Sequence, residues 1–151
     1  MSETKGLLAL KSLPIITIRN LQRTADVDLA AFQEFARRAI DRCLALPKRK
    51  STLSGLRRVD VLLISDRRIA DLHRRFHKIA GPTDVITFQH GEILISTQTA
   101  ARHAAEFGTS TMREIELYLL HGLLHLHGFN DKTAAERRRM NAVQSKMLRT
   151  L

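Results

Sequence analysis

Thr111–Asp131 reads TMREIELYLLHGLLHLHGFND, a helix with a stop signal at its end. Thr111 and Glu114, three residues apart, have the spacing of a capping box, and the helix is expected from Met112 to His127. Gly128 is well placed as its left-handed stop. Four helical residues turn the chain by about 400°, so His121 and His125 share a face about 40° apart. Their imidazoles can converge on one ion. Gly128 then lets the backbone reverse, and Asp131 follows three residues later.

The pattern H-x-x-x-H-x-x-G-x-x-D has the spacing of the elongated zinc-protease motif, with two helical ligands and a third returned by a glycine turn. Three nitrogen or oxygen ligands and an open fourth position describe a catalytic metal site. Asp131 has a second reading as the N-cap of the last helix, since Lys132-Thr133 follow, and it can cap and ligate with different oxygens. His127 falls about 200° around the helix from His125, off the metal face, where the helix dipole favours it. His73, His77, His90 and His103 have no comparable pairing in sequence. The residue after the first ligand is Gly122, where H-E-x-x-H proteases carry their glutamate base. Gly122 in mid-helix costs about 1 kcal/mol relative to alanine. Either a ligand comes close to the backbone there, or a neighbouring element packs against it.

Working outward, Leu13–Ile18 (LPIITI) reads as a first strand. Asp26 or Asp28 can cap a helix that reaches Leu44, and Pro47 with Lys48-Arg49-Lys50 ends it before a loop to Gly55. Val59–Ile64 (VDVLLI) is an apolar strand expected to be buried on both faces. Ser65-Asp66 caps a helix with Ile69, Leu72, Phe76 and Ile79 inward, stopped by Gly81-Pro82. Asp84–Gln89 and Glu92–Ile95 are strands around a His90-Gly91 turn. Ser96 or Thr97 caps an alanine-rich helix that Gly108 stops after Phe107. A last helix, Thr133–Leu148, turns Met140, Val143 and Met147 inward and Arg137, Arg138 and Arg139 outward. The expected fold class is α/β (α+β): one compact domain over 1–151, with about four short strands in a mixed sheet and about five helices.

The chain has 151 residues, 25 Lys plus Arg against 15 Asp plus Glu, and a formal net charge of +10. That length is enough for one domain with a real core, and 44% hydrophobic residues exclude a disordered or low-complexity chain. No apolar run reaches the roughly 18 residues of a membrane span. The start, MSETKGLLALKSLP, has no cleavage pattern and reads as mature sequence. Cys43 is the lone cysteine, which excludes an internal disulfide and a thiolate-built zinc site and suits a reducing cytoplasm. The positive excess points to a polyanion, with nucleic acid ahead of an anionic membrane surface. Tyr118 is the single tyrosine and tryptophan is absent, so base-specific readout has little support.

Val59–Asp131 resembles the bacterial YbeY family of metal-dependent endoribonucleases. Its signature H-G-x-L-H-L-x-G-aromatic-x-H corresponds to His121, Gly122, Leu124, His125, Leu126, Gly128 and Phe129. The block P-T-D-V-L-S-F corresponds to Pro82–Phe88, and G-D-I-x-I-S to Gly91–Ser96. The resemblance implies a compact α/β fold with one zinc ion in an open cleft. It implies single-strand-specific RNA cleavage in small-subunit rRNA 3′-end maturation and ribosome quality control, with the ribosome or its small-subunit proteins as partners. Three departures stand out. Asp131 occupies the place of the usual third histidine, which adds a negative charge at the ion and makes a bound water less acidic. His77 follows His73-Arg74-Arg75-Phe76 where the family often has arginine, so Arg75 or His77 is the candidate RNA contact. The stretch from Phe88 to Gly91 is short for the family. No general base is evident. Two rival readings are a metallohydrolase acting on peptides, which Gly122 opposes, and a ribosome-associated binding module with a structural metal.

Overall fold

The computed structural model describes residues 13–48 and 50–151, so residues 1–12 of the N-terminal segment read above as mature sequence, and Arg49 of the basic run, lie outside the described residues. In chain order the elements are β1 (Ile15–Asn20), α1 (Leu29–Leu44), a 3-10 turn (Leu53–Gly55), β2 (Arg58–Ile64), α2 (Asp66–His77), β3 (Val85–Phe88), β4 (Glu92–Ser96), α3 (Thr97–Phe107), α4 (Thr111–Leu126) and α5 (Ala134–Thr150). The sheet order is β1-β2-β4-β3. The first three strands of that order run parallel, and edge strand β3 pairs antiparallel with β4 through the turn ending at Gly91. Five helices and a four-stranded mixed sheet agree with the expected α/β (α+β) class.

Strand alternation divides the apolar side chains between two layers. Val59, Val61 and Leu63 of β2 join Ile93 and Ile95 of β4 in the main core with α1, α4 and α5. Ile64, Ile86 and Leu94 face the other way and pack on Ile69 of α2. VDVLLI is therefore not buried evenly on both faces. Asp60 stays half-exposed and accepts a hydrogen bond from Thr17 Oγ1 at 2.5 Å, because α2 covers only the far end of that face.

α4 is wrapped by neighbours: it packs on α1, α3, α5, β3 and β4. That explains why Ile115, Leu119, Leu120, Leu123, Leu124 and Leu126 are all fully buried, a pattern no single apolar stripe would give. Tyr118, buried between α3 and α4, meets His103 Nδ1 at 2.5 Å.

Several boundaries differ from the sequence reading. β1 starts at Ile15 because Pro14 lacks an N–H, and the Ile15 amide makes the first bond, to the Arg57 carbonyl at 2.9 Å. α1 is capped by Asp28 and ends at Leu44, before Pro47. α2 ends at His77 on a left-handed Lys78, not at Gly81-Pro82. Phe76 and Ile79, expected inward, are 58% and 52% exposed, since among the described residues that end of α2 is only partly covered, Phe76 by the edge of Phe88. The cap of α4 is Ser110, whose hydroxyl accepts from the Arg113 amide; Glu114 accepts instead from Thr109 Oγ1 at 2.6 Å. α5 continues to Thr150, and its N-cap is Thr133.

Asp66 ties α2 to α3. One carboxylate oxygen accepts from Ser96 Oγ (2.6 Å) and Thr99 Oγ1 (2.7 Å), the other from Arg102 (2.5 Å). Burial alone would raise its pKa, but these donors outweigh burial and hold it below the ordinary 3.8. A depressed native pKa contributes stability that is complete above the unfolded pKa and drains away as pH falls through the native one. The stability gap between wild type and Asp66→Asn, measured by urea unfolding, should stay constant from about pH 5 to 8 and narrow below about pH 4.

Candidate metal centre

His121 and His125 project from the C-terminal half of α4, and Asp131 returns to them after the Gly128 turn. His125 Nε2 lies 3.1 Å from His121 Nε2 and 3.3 Å from Asp131 Oδ2, and His121 Nε2 lies 3.7 Å from the same oxygen. Ligands at 2.0–2.1 Å around a tetrahedral ion stand about 3.3–3.4 Å from one another, and the three edges straddle that value. The trio can hold a metal ion.

The hydrogen bonds behind the rings decide which nitrogens face inward. His125 Nδ1 is 3.1 Å from the Phe129 carbonyl, which can only accept, so Nδ1 carries the proton. His121 Nδ1 donates to Gln144 Oε1 at 3.0 Å, from the inner face of α5. Both Nε2 atoms are then bare lone pairs pointing at each other, an arrangement that asks for a cation between them. Burial, and then the neighbouring His125, push the His121 pKa down and favour its neutral ring. Asp131 completes the set as the most exposed donor, at 44%. It does not cap α5; that role belongs to Thr133.

Two glycines allow this geometry. A Cβ on Gly122 would sit 2.9 Å from Thr87 Oγ1 and 3.0 Å from two branches of Ile93, so the helix is seated directly against β3 and β4. The close partner is therefore the sheet, and a glutamate at this position has no room. Gly128 has φ +101°, and a Cβ there would fall on the Lys50 carbonyl. The approaching loop is held by His127, whose Nε2 reaches the Leu46 carbonyl (2.7 Å) and whose Nδ1 reaches Ser51 Oγ (2.7 Å). His127 is thus off the metal face, as its angle implied, but buried in a pin rather than left to the helix dipole.

The donors line a cleft of about 540 Å³ whose other walls are β3 (Val85, Ile86, Thr87), Gln89, Ile79 and the α2 histidines His73 and His77. His77 thus shares the cleft with the metal trio. Arg75 does not line it and lies 3.7 Å from Asp71. His90 is engaged elsewhere, stacked on Phe88 and 2.7 Å from Glu92. Phe129 and Thr87 fall within the family blocks quoted above without a role assigned to them, and Gln144 falls outside those blocks. The signal for Gln144 is a polar residue four positions after Met140 on the inward stripe of the last helix.

A mixed α/β fold with a His-His-Asp cleft at the end of a buried helix has the donors to hold a metal ion, and likeness to known proteins narrows the class. The profile described as Endoribonuclease YbeY matches residues 17–151, and the chain belongs to the YbeY endoribonuclease family. It is 35% identical over 118 residues to the Endoribonuclease YbeY of Bifidobacterium longum subsp. infantis, a match spanning 68% of this chain but 63% of that relative. It is 32% identical over 133 residues to that of Symbiobacterium thermophilum, across 77% of this chain and 84% of the relative. The solution structure of TM1509 from Thermotoga maritima superposes with a TM-score of 0.56 at 26% identity, covering 87% of each chain.

The two stop glycines provide a paired test. Gly108 is also left-handed (φ +68°) but meets nothing within 4 Å, whereas Gly128 meets backbone. Gly108→Ala should cost about 1 kcal/mol and Gly128→Ala about 2–4 kcal/mol in urea unfolding.

Proposed function

We propose that this protein is a zinc-dependent endoribonuclease that hydrolyses single-stranded RNA, acting in small-subunit rRNA 3′-end maturation and ribosome quality control in the cytoplasm. On this reading 1–151 works as one catalytic domain, with rRNA as substrate and the ribosome or its small-subunit proteins as partners. The observation that carries it is the inward-facing trio of His121 Nε2, His125 Nε2 and Asp131 Oδ2, read together with family membership. Two imidazoles and a carboxylate suit zinc, which when bound supplies Lewis acidity and an activated water.

The chain's own residues do the rest. Gln144 and the Phe129 carbonyl fix both ring tautomers, so the donors are oriented before any ion arrives. Gly122 draws α4 onto β3 and so brings Thr87 to the cleft wall. His77, in the position the family often gives to arginine, is the candidate contact for a substrate phosphate inside the cleft. Arg75, outside it, is the candidate for a flanking phosphate. The +10 charge makes RNA binding salt-dependent. No helix among the described residues is long and apolar enough to cross a membrane. Gly122 opposes the peptide-hydrolysing alternative, because the sheet occupies the place of the required glutamate.

His121→Ala and His125→Ala should each lose stoichiometric zinc by elemental analysis, with cleavage of single-stranded RNA falling at least about 100-fold. Asp131→His should retain zinc and Asp131→Ala should bind it more weakly; equal affinity in both variants and wild type would remove Asp131 from the ligand set. Gln144→Leu should weaken zinc about 10- to 100-fold while leaving all three donors in place. Chelation should abolish cleavage with the circular dichroism spectrum preserved; unfolding on chelation would favour the binding module with a structural metal.

A further inference from the structure

The partly covered C-terminal end of α2 is aromatic. Phe76 meets Phe88 edge-to-face at 5.2 Å between ring centroids, and the Phe88 ring stacks on His90 at 5.5 Å with planes only 11° apart. Phe76 is 58% exposed, so one end of this ladder presents a bare ring to solvent. The ladder lies beside the metal cleft and not in its lining: His77, next to Phe76, and Thr87 and Gln89, on either side of Phe88, line the cleft, while the Phe88 ring packs on the opposite face of β3 from Thr87. In the same last turn of α2 stand Arg74 and Arg75. Within α2, Asp71 is the carboxylate paired with this group, contacting Arg74 and Arg75.

An exposed phenylalanine beside a cationic helix makes a poor protein core and a good nucleic-acid surface. Rings accept any base face, and guanidinium groups follow the backbone between bases. We propose that the Phe76–Phe88–His90 ladder is a stacking platform for an unpaired nucleobase of single-stranded RNA, with Arg74 and Arg75 holding the adjoining phosphates beside the metal cleft. This deepens the endoribonuclease reading and rests on it. It also gives a physical basis for strand selectivity, since a paired base in a duplex has no free face to offer.

The chain contains no tryptophan, so Phe76→Trp installs a single indole reporter at the platform. The probe is a uridine oligonucleotide of about twelve nucleotides, 2′-O-methylated to slow cleavage, compared with its complementary duplex and with heparin. Indole quenching by the single strand, and not by duplex or heparin, is expected. Phe76→Ala should weaken single-strand binding by anisotropy about tenfold, with little change for the duplex, and Phe76→Tyr should restore it. Binding of the single strand without quenching, or equal loss for single strand and duplex in Phe76→Ala, would overturn the platform while leaving the endoribonuclease reading intact. No binding of any RNA, together with no zinc-dependent cleavage, would overturn both. Zinc loading of Phe76→Ala should match wild type, which separates a lost platform from a damaged fold.

Discussion

The seating of α4 in the middle of the molecule is the constraint on which the rest depends. A helix touched by three other helices and two strands must be apolar nearly all round. It can lie against β3 and β4 only because residue 122 has no side chain. That single close approach sets the height of α4 over the sheet edge. His121, next to the glycine, therefore opens toward the cleft instead of into the core. The helix-breaking cost of glycine is offset by the packing it permits.

Much of the site was legible because its determinants are local. Two histidines one helical turn apart, a glycine that ends the helix and a carboxylate three residues on are written in eleven consecutive residues, and the structure brings these donors together. Helix angle alone also removed His127 from the metal face. What was not legible depends on other parts of the chain. Gln144 is 23 residues from the ring it orients, and the loop pinned by His127 lies 76 to 81 residues upstream. Periodicity cannot report such partners.

The fold shows the same division. Strand and helix existence followed from apolar pattern, while boundaries followed from hydrogen bonds that several residues could have made. Ser110 and Thr111 both offer a capping hydroxyl, and the outcome turned on Glu114 finding Thr109. Phe76 and Ile79 continue the apolar stripe of α2, and inward burial was the natural expectation. At Phe76 the sheet offers only the edge of Phe88, which leaves most of the ring exposed, a fact about β3 that α2 does not encode. The Asp66 network was silent for a similar reason, since its donors come from the start of α3, 30 residues or more away.

The pin between His127 and the Leu46–Ser51 segment has a kinetic consequence. The three donors are neighbours in sequence, yet the turn that gathers them is backed by a carbonyl from Lys50 and bonded to residues 76 and 81 positions upstream. Closing so long a loop is slow relative to forming α4 itself. During folding, the helix with its two imidazoles can exist well before the third donor is held in register. The completed trio is therefore a late feature of the folding route, and its geometry certifies that the distant segment has docked.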